Sequence, residues 1–256
     1  MAKKAFFISD THLGMHPIQK SIEREKLLVQ WMDEIMNDTS ELYLLGDIFD
    51  FWHEYKRVVP KGFTRFLGKL TEFHDKNIPV YYFTGNHDVW SYGYLKDECG
   101  VEILDKPVAK EILGKKFYLA HGDGLGPGDK GYLLLKWAFH NKVLQWFFSR
   151  LHPNFALWLG QSWSKSSRLA KGIYVPYMGQ KEWLIQYAQK VLQKEKYDYF
   201  IFGHRHIPMH LNVEVGAELV CLGDWIVHFT YAEFDGSKVL LKPYINAEKI
   251  DIKRTF

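Results

Sequence analysis

Five stretches of this chain place metal-binding side chains directly after an apolar run. Ala5-Phe6-Phe7-Ile8 leads to Asp10 and His12, and Leu42-Tyr43-Leu44-Leu45-Gly46 leads to Asp47 and Asp50. Val80-Tyr81-Tyr82-Phe83-Thr84 leads to Gly85-Asn86-His87-Asp88. Lys116-Phe117-Tyr118-Leu119-Ala120 leads to His121-Gly122-Asp123, and Tyr199-Phe200-Ile201-Phe202-Gly203 leads to His204-Arg205-His206. An apolar, aromatic-rich run that ends in a glycine reads as a buried strand whose end is exposed in a turn. In open α/β sheets ligands bind at the carboxyl ends of strands, so polar residues there are placed for chemistry. One such tetrapeptide on its own reads as a polar turn; the repetition argues against that reading.

The chemistry follows from the donor types. Asp, Asn and His together make a mixed oxygen and imidazole set with too many members for one tetrahedral zinc. Imidazole suits zinc, iron and similar ions, while carboxylate and amide oxygens suit harder ions such as manganese. Two divalent ions sharing one carboxylate would use the whole set. Such a pair, about 3.5–4 Å apart, activates a water and clamps the oxygens of a phosphoryl group during in-line displacement. The expected activity is hydrolysis of phosphate esters or anhydrides.

In their order D-x-H, G-D-x-x-D, G-N-H-D, H and G-H-x-H, these motifs resemble the calcineurin-like metallophosphoesterase family from residue 10 to residue 206. The resemblance implies one metal held by Asp10, His12, Asp47 and His206. A second is implied at Asp47, Asn86, His121 and His204, with Asp47 as the bridge. It also implies His87 near the scissile phosphate, with Asp88 orienting its ring as an outer partner of the kind metal sites need. Asp50 and Asp123 are read as supports behind the ligands.

The elements that must position these residues are legible in the hydrophobic pattern. Ile22, Leu27, Leu28, Trp31, Met32, Ile35 and Met36 recur at helical spacing between the first two strands, a strand–helix–strand order that points to a partly parallel sheet. Residues 63–76 read as a helix with Phe66, Leu67, Leu70 and Phe73 on one face, and Leu184, Tyr187, Ala188, Val191 and Leu192 mark another. Alternating runs from Glu102 to Ala120, broken by Gly114, predict paired strands ending at His121. His204 and His206, at i and i+2 of an extended segment, project to one side. The runs 218–222, 229–234 and 239–244 read as antiparallel strands that finish a second sheet. The fold expected is α/β: a two-sheet sandwich flanked by helices, the four-layer arrangement of the family. His53, among the aromatics of Phe49-Asp50-Phe51-Trp52-His53, is read as a hydrogen-bonded core or surface residue rather than a ligand.

Composition sets the class. The 256 residues are 47% hydrophobic and 25% charged, ordinary for a globular chain with a sizeable core. Two cysteines, Cys99 and Cys221, without C-x-x-C spacing argue against a disulfide framework and for a reducing cytoplasm. The apolar run after the basic start stops at Ser9, too short for a signal peptide, and no stretch reaches the roughly 20 apolar residues that span a bilayer. The chain is expected to be soluble or peripherally attached, as a single domain over 1–256 with a helical insertion at about 130–181.

That insertion is a distinct electrostatic unit. Residues 130–181 hold eight Lys or Arg and no Asp or Glu. The remaining chain has 25 basic and 30 acidic residues, so the formal +3 combines +8 here with −5 elsewhere. Trp137, Phe139, Trp146, Phe147, Phe148, Phe155, Trp158 and Trp163 lie in the same segment, which Pro153 breaks into two expected helices. A basic, aromatic helix pair can be a packed subdomain with a solvated face, a nucleic-acid contact or a membrane-surface element. Binding an acylated, phosphate-bearing substrate uses the same chemistry on a smaller scale, and bulky aromatics beside a phosphate-cleaving site favour it.

Within the family, the chain is most similar to the UDP-2,3-diacylglucosamine hydrolases of lipid A synthesis. The resemblance rests on Gly46-Asp47-Ile48-Phe49-Asp50-Phe51-Trp52, on His121-Gly122-Asp123-Gly124-Leu125 followed by Asp129 and Tyr132, on the helical insertion, and on Gly203-His204-Arg205-His206 followed by Leu222-Gly223-Asp224-Trp225. It implies cleavage of the diphosphate of a UDP-linked diacyl sugar to UMP and the diacylglucosamine 1-phosphate. Manganese is implied as the usual metal, with zinc or iron as alternatives, and the insertion as a lipid-binding lid. Asp129, Tyr132, Trp146, Phe147, Lys165, Arg168 and Lys171 are the expected substrate contacts. Transient contact with the cytoplasmic face of the inner membrane is expected; nucleic acid and an obligate protein partner are not. Well-known members carry arginine where this chain has His87. Arginine only neutralises charge, whereas histidine can also give up a proton, which helps an alkoxide leaving group more than a diphosphate. A phosphodiesterase or nuclease of the same superfamily is therefore the alternative. A non-catalytic scaffold would have lost ligands, and all seven are present.

Overall fold

Period-two alternation along the strands sorts the apolar residues onto two faces of each of two sheets. The structure, a computed structural model, describes residues 3–126, 130–171, 176–245 and 253–255, with side chains outside the description at 130–132, 167–171 and 253–255. The first sheet has the order β11-β10-β1-β2-β3-β4, from β1 (Lys4–Ile8), β2 (Thr39–Leu45), β3 (Val80–Phe83), β4 (Glu102–Leu104), β10 (Thr230–Phe234) and β11 (Val239–Pro243). The second runs β12-β8-β9-β7-β6-β5, from β5 (Val108–Ile112), β6 (Lys115–Ala120), β7 (Tyr199–Phe202), β8 (Pro208–Glu214), β9 (Ala217–Leu222) and β12 (Lys253–Thr255). Strands β1 to β4 are mutually parallel, as are β6, β7 and β9.

Ala5, Phe7, Tyr43, Leu45 and Phe83 face inward and meet Phe117, Leu119, Ile201 and Val220 of the opposite sheet in one buried cluster. Their neighbours Phe6, Ile8, Leu42 and Leu44 face outward, where Leu28, Trp31 and Met32 of α1 (Ile18–Ile35) and Phe66, Leu70 and Phe73 of α2 (Thr64–Asp75) cover them. The short α3 (Tyr94–Cys99) adds Leu95 and Cys99 to this cluster. On the other side, Phe200, Phe202 and Leu219 are covered by Leu184, Ile185 and Ala188. The result is the expected four layers. Burying each such side chain stabilises by about 1.5–3 kcal/mol relative to exposure, so both sheets are held on both faces.

Two expectations are corrected. Of the closing strands, only β9 joins the second sheet; β10 returns to the first and pairs antiparallel with β1, Ala5 opposite Phe234. The free edge of β1 needs a partner, and a strand that hides Ala232 and Phe234 between the sheets supplies one. Among the described residues the insertion holds three α-helices rather than two: α4 (Lys130–His140), α5 (Lys142–Phe148) and α6 (Pro153–Lys171). Asn141 makes the extra break, because its Oδ1 accepts the Val143 and Leu144 N–H groups as an N-cap. Pro153 opens α6, where its missing N–H costs nothing. The last helix is α7 (Trp183–Leu192). Among the described residues no helix is long and apolar enough to cross a membrane.

Candidate metal centre

The seven donor residues stand just beyond the carboxyl ends of β1, β2, β3, β6 and β7, so the strand topology brings them to one edge. The backbone turns sharply to aim them. Asp10, His12, Asp47, His204 and His206 all lie in the left-handed region, with φ of 54°, 43°, 52°, 65° and 53°. Such conformations cost about 1–3 kcal/mol each and persist only where the surroundings over-determine them. Close approach also explains two glycines of the motifs. A Cβ on Gly85 would lie 2.2 Å from Asp47 Oδ1, and one on Gly203 would lie 2.6 Å from Asp10 Oδ2.

Three groups of donors result among the described residues. Asp10, His12 and His206 offer atoms within 4.8 Å of one another, and so do His12, Asp47 and His87, and Asp47, His121 and His204. Asp47 Oδ2 lies 3.3 Å from His121 Nε2 and 3.9 Å from His12 Nε2, so it faces both. Each carboxylate holds the backbone with one oxygen and presents the other. Asp10 Oδ2 accepts the His204 N–H at 2.9 Å, while Oδ1 lies 3.4 Å from His206 Nε2. Asp47 Oδ1 accepts the His87 N–H at 2.9 Å. His121 Nδ1 bonds the Leu45 carbonyl at 2.7 Å, which makes Nδ1 the protonated nitrogen and leaves the Nε2 lone pair for the centre.

Asp10 Oδ1, His12 Nε2, Asn86 Oδ1 and His121 Nε2 are buried and have no hydrogen-bond partner among the described residues. Leaving converging oxygen and imidazole donors unpaired is costly unless a cation satisfies them, and the donor set fits a divalent ion. The electrostatics divide the set: burial alone would lower His121 and His206, but Asp47 beside the first and Asp10 beside the second outweigh it and raise both. Burial holds the His12 imidazole down to about 4 and, with His121 nearby, His204 down to about 3, so both are neutral donors. Burial alone would lift Asp47, but His121, His87 and His12 outweigh it and keep the carboxylate well below its usual range.

The supports differ from those expected in one respect. Asp88 does not orient His87. Its Oδ2 accepts from the Ile48 N–H at 2.8 Å and the Tyr82 hydroxyl at 2.6 Å, and its Oδ1 accepts from the Gly85 N–H at 2.7 Å. The left-handed turn at Asp47 leaves the following N–H groups without strand partners, and the buried Asp88 carboxylate supplies the acceptor. His87 is instead held by the Asp50 carbonyl, 2.8 Å from Nδ1, with Ser164 Oγ of α6 at 3.0 Å. Nδ1 is therefore the donor, and Nε2 points inward, 4.0 Å from Asp47 Oδ2. The Asp50 carboxylate stands behind His12, its Oδ1 3.4 Å from Nδ1, and Asp123 accepts from Lys136 Nζ at 2.6 Å.

Sequence reasoning assigned no role to three further groups. Asp224, fully buried, places Oδ2 3.7 Å from His206 Nδ1 and 2.8 Å from His228 Nδ1, while Oδ1 accepts the Ile226 and Val227 N–H groups. Its signal was the Leu222-Gly223-Asp224-Trp225 motif, which carried a resemblance but no chemistry. Arg205, between two donor histidines, makes a buried ion pair with Glu182 at the start of α7. Ser164 had no signal, being one serine among several on its helix. His53 is in the core as expected but without hydrogen bonds. Its ring sits against Tyr55, Trp90 and Phe148 at centroid distances of 4.6, 5.2 and 5.1 Å, and neither nitrogen has a partner among the described residues. Of the expected substrate contacts, Trp146 and Phe147 are 53% and 60% exposed and Lys165 is exposed. Asp129 and the side chains of Tyr132, Arg168 and Lys171 lie outside the described residues.

The family model for calcineurin-like phosphoesterases matches residues 3–208. A UDP-2,3-diacylglucosamine hydrolase of Porphyromonas gingivalis is 34% identical, covering 94% of this chain and 98% of that protein. One of Histophilus somni is 29% identical, covering 87% and 92%. Among solved structures, the E. coli phosphoesterase Yfce aligns over 90% of this chain and 87% of its own at 16% identity, with a TM-score of 0.43. Likeness at that level adds nothing to what the strand order establishes.

Proposed function

The chain belongs to the calcineurin-like phosphoesterase family of metal-dependent hydrolases, and from that premise we propose that it cleaves the diphosphate of UDP-2,3-diacylglucosamine. The products are UMP and 2,3-diacylglucosamine 1-phosphate. The observation that carries this reading is one strand edge with two donor clusters meeting at Asp47, beside helices whose aromatic side chains are left exposed. The names of relatives that align over nearly the whole chain support the same substrate.

In this reading Asp10, His12, Asp47 and His206 hold one divalent ion, and Asp47, Asn86, His121 and His204 hold the other. Manganese is the metal that the resemblance favours. When bound, the ions supply a nucleophilic water at neutral pH and neutralise phosphoryl charge. The chain's own residues do the rest. The buried Asp47 stays anionic because three imidazoles surround it. His87, fixed through Nδ1, presents Nε2 as a hydrogen-bond donor to a phosphoryl oxygen when protonated. The apolar faces of α5 and α6 hold acyl chains and bring the protein into transient contact with the cytoplasmic face of a membrane.

Attack on the phosphorus nearer uridine makes the sugar-side phosphate leave. Reaction in ¹⁸O-labelled water should place the label in UMP and leave the lipid phosphate unlabelled. Label in the lipid phosphate would refute that attack site. A second reading rests on His87 itself, whose inward Nε2 can deliver a proton to an alkoxide. Rapid turnover of simple diesters with none of the UDP-lipid would establish a phosphodiesterase instead.

A further inference from the structure

An open cleft lies beside the donor cluster, between the end of β3, the β4–β5 turn, the loop after β6 and α4. We propose that this cleft binds the uridine half of the substrate, a subsite that rests on the diphosphate reading above.

Connectivity decides which half belongs here. Nucleophilic attack on the α-phosphorus puts that atom at the metal centre, and the nucleoside is one ester bond from it. The acyl chains are separated from it by the second phosphate and a hexose. The nucleoside subsite must therefore share a wall with the donor residues, and this cleft does, through Asn86 and His121.

The lining agrees. Val89 and Phe139 give it apolar walls, while Asn86, Asp105 and Lys106 give it hydrogen-bonding groups and a cation. Such a mixture suits a planar base and a ribose with polar edges, and it penalises hydrocarbon, which leaves polar groups desolvated and unpaired. The Phe139 ring is pre-positioned, packed edge-on against Trp90 and Trp163 at 5.4 and 5.2 Å between centroids. Large apolar side chains that could meet acyl chains lie elsewhere, on Trp146, Phe147 and Trp158, all more than half exposed and none lining the cleft.

The test uses the metal-loaded full chain and calorimetric binding of UMP, inorganic phosphate and 2,3-diacylglucosamine 1-phosphate. Val89→Trp fills the cleft, and Lys106→Glu changes its exposed rim without touching the core. Val89→Trp should weaken UMP by about tenfold or more, and Lys106→Glu by a few-fold, with phosphate affinity and hydrolysis of bis(p-nitrophenyl) phosphate unchanged. UMP affinity that survives both changes overturns the proposal, and loss of the lipid product alone assigns the cleft to acyl chains. Wild-type protein that does not hydrolyse the UDP-lipid while UMP binding still depends on Val89 and Lys106 would refute the substrate reading and keep the subsite.

Discussion

The donor edge and the helical insertion invert the usual rule of burial in opposite senses. At the edge, Asp10, His12, Asp47, Asp88, His121 and Asp224 are buried polar side chains, each nearly or fully inaccessible. On α4 to α6, Trp137, Trp146, Phe147 and Trp158 are large apolar side chains with more than half of their surface exposed, and Phe155 is 49% exposed. Neither arrangement stabilises an isolated chain. Buried unpaired donors cost free energy, and a contiguous apolar surface is costly in water. In the function proposed above each is explained by a ligand: cations would complete the first, and hydrocarbon would cover the second. The four-layer fold supplies the stability that both regions forgo.

The comparison is tested most severely at Asp47, whose Oδ2 faces both His12 and His121. Asp47→Ala should lower activity by about three orders of magnitude. It should also reduce metal content further than His12→Ala, with elemental analysis finding close to two ions per wild-type chain. A variant that keeps its metal and its activity would end the bridging assignment. At Asp224 the effect should be smaller, because the carboxylate acts on His206 from behind. Asp224→Ala should weaken manganese affinity by about 10–100-fold in a direct metal titration, and unchanged affinity would show that His206 holds its position unaided.

The insertion should respond differently. Trp146→Ala with Phe147→Ala removes only exposed rings, so the melting temperature should stay the same while KM for the acylated substrate rises about tenfold. Hydrolysis of a small diester should not change; equal loss on both substrates would mean that these rings support the fold. The smallest effect is expected at His53, where the insertion meets the body through Phe148. Burial pushes the folded His53 down to about 4, against an ordinary value of 6.5. Between those values the unfolded chain binds the extra proton, so this contribution to stability is complete above pH 6.5 and is lost as pH falls toward 4. His53→Phe should flatten that slope and move the melting temperature at pH 7 by only about 2–4 °C. A slope identical to wild type would place the acid sensitivity in other groups.

Much of the donor edge was legible before any coordinates. An apolar run marks a buried strand, the polar residues after it mark the strand's end, and five such ends in the order of one family's motifs carry the seven residues expected as ligands. The core faces of α1, α2 and α7 were legible for a similar reason, since 3.6-residue spacing reports which side of a helix meets a sheet. The break at Asn141 was less visible because an asparagine is also an ordinary surface residue.

The sequence by itself determined most of the strands, the faces of their apolar side chains and the polar residues that follow β1, β2, β3, β6 and β7, though not β8 or β12. These are local properties, set by backbone periodicity and by the glycines that permit close approach. Only the tertiary structure decided that β10 pairs with β1, that Asp88 serves the backbone of residues 47–49 instead of His87, and that Asp224 and Ser164 stand behind His206 and His87. Such partners are 18 to 229 residues apart. Their choice depends on which unpaired N–H, carbonyl or sheet edge the rest of the fold leaves within reach, and no window of sequence contains that information.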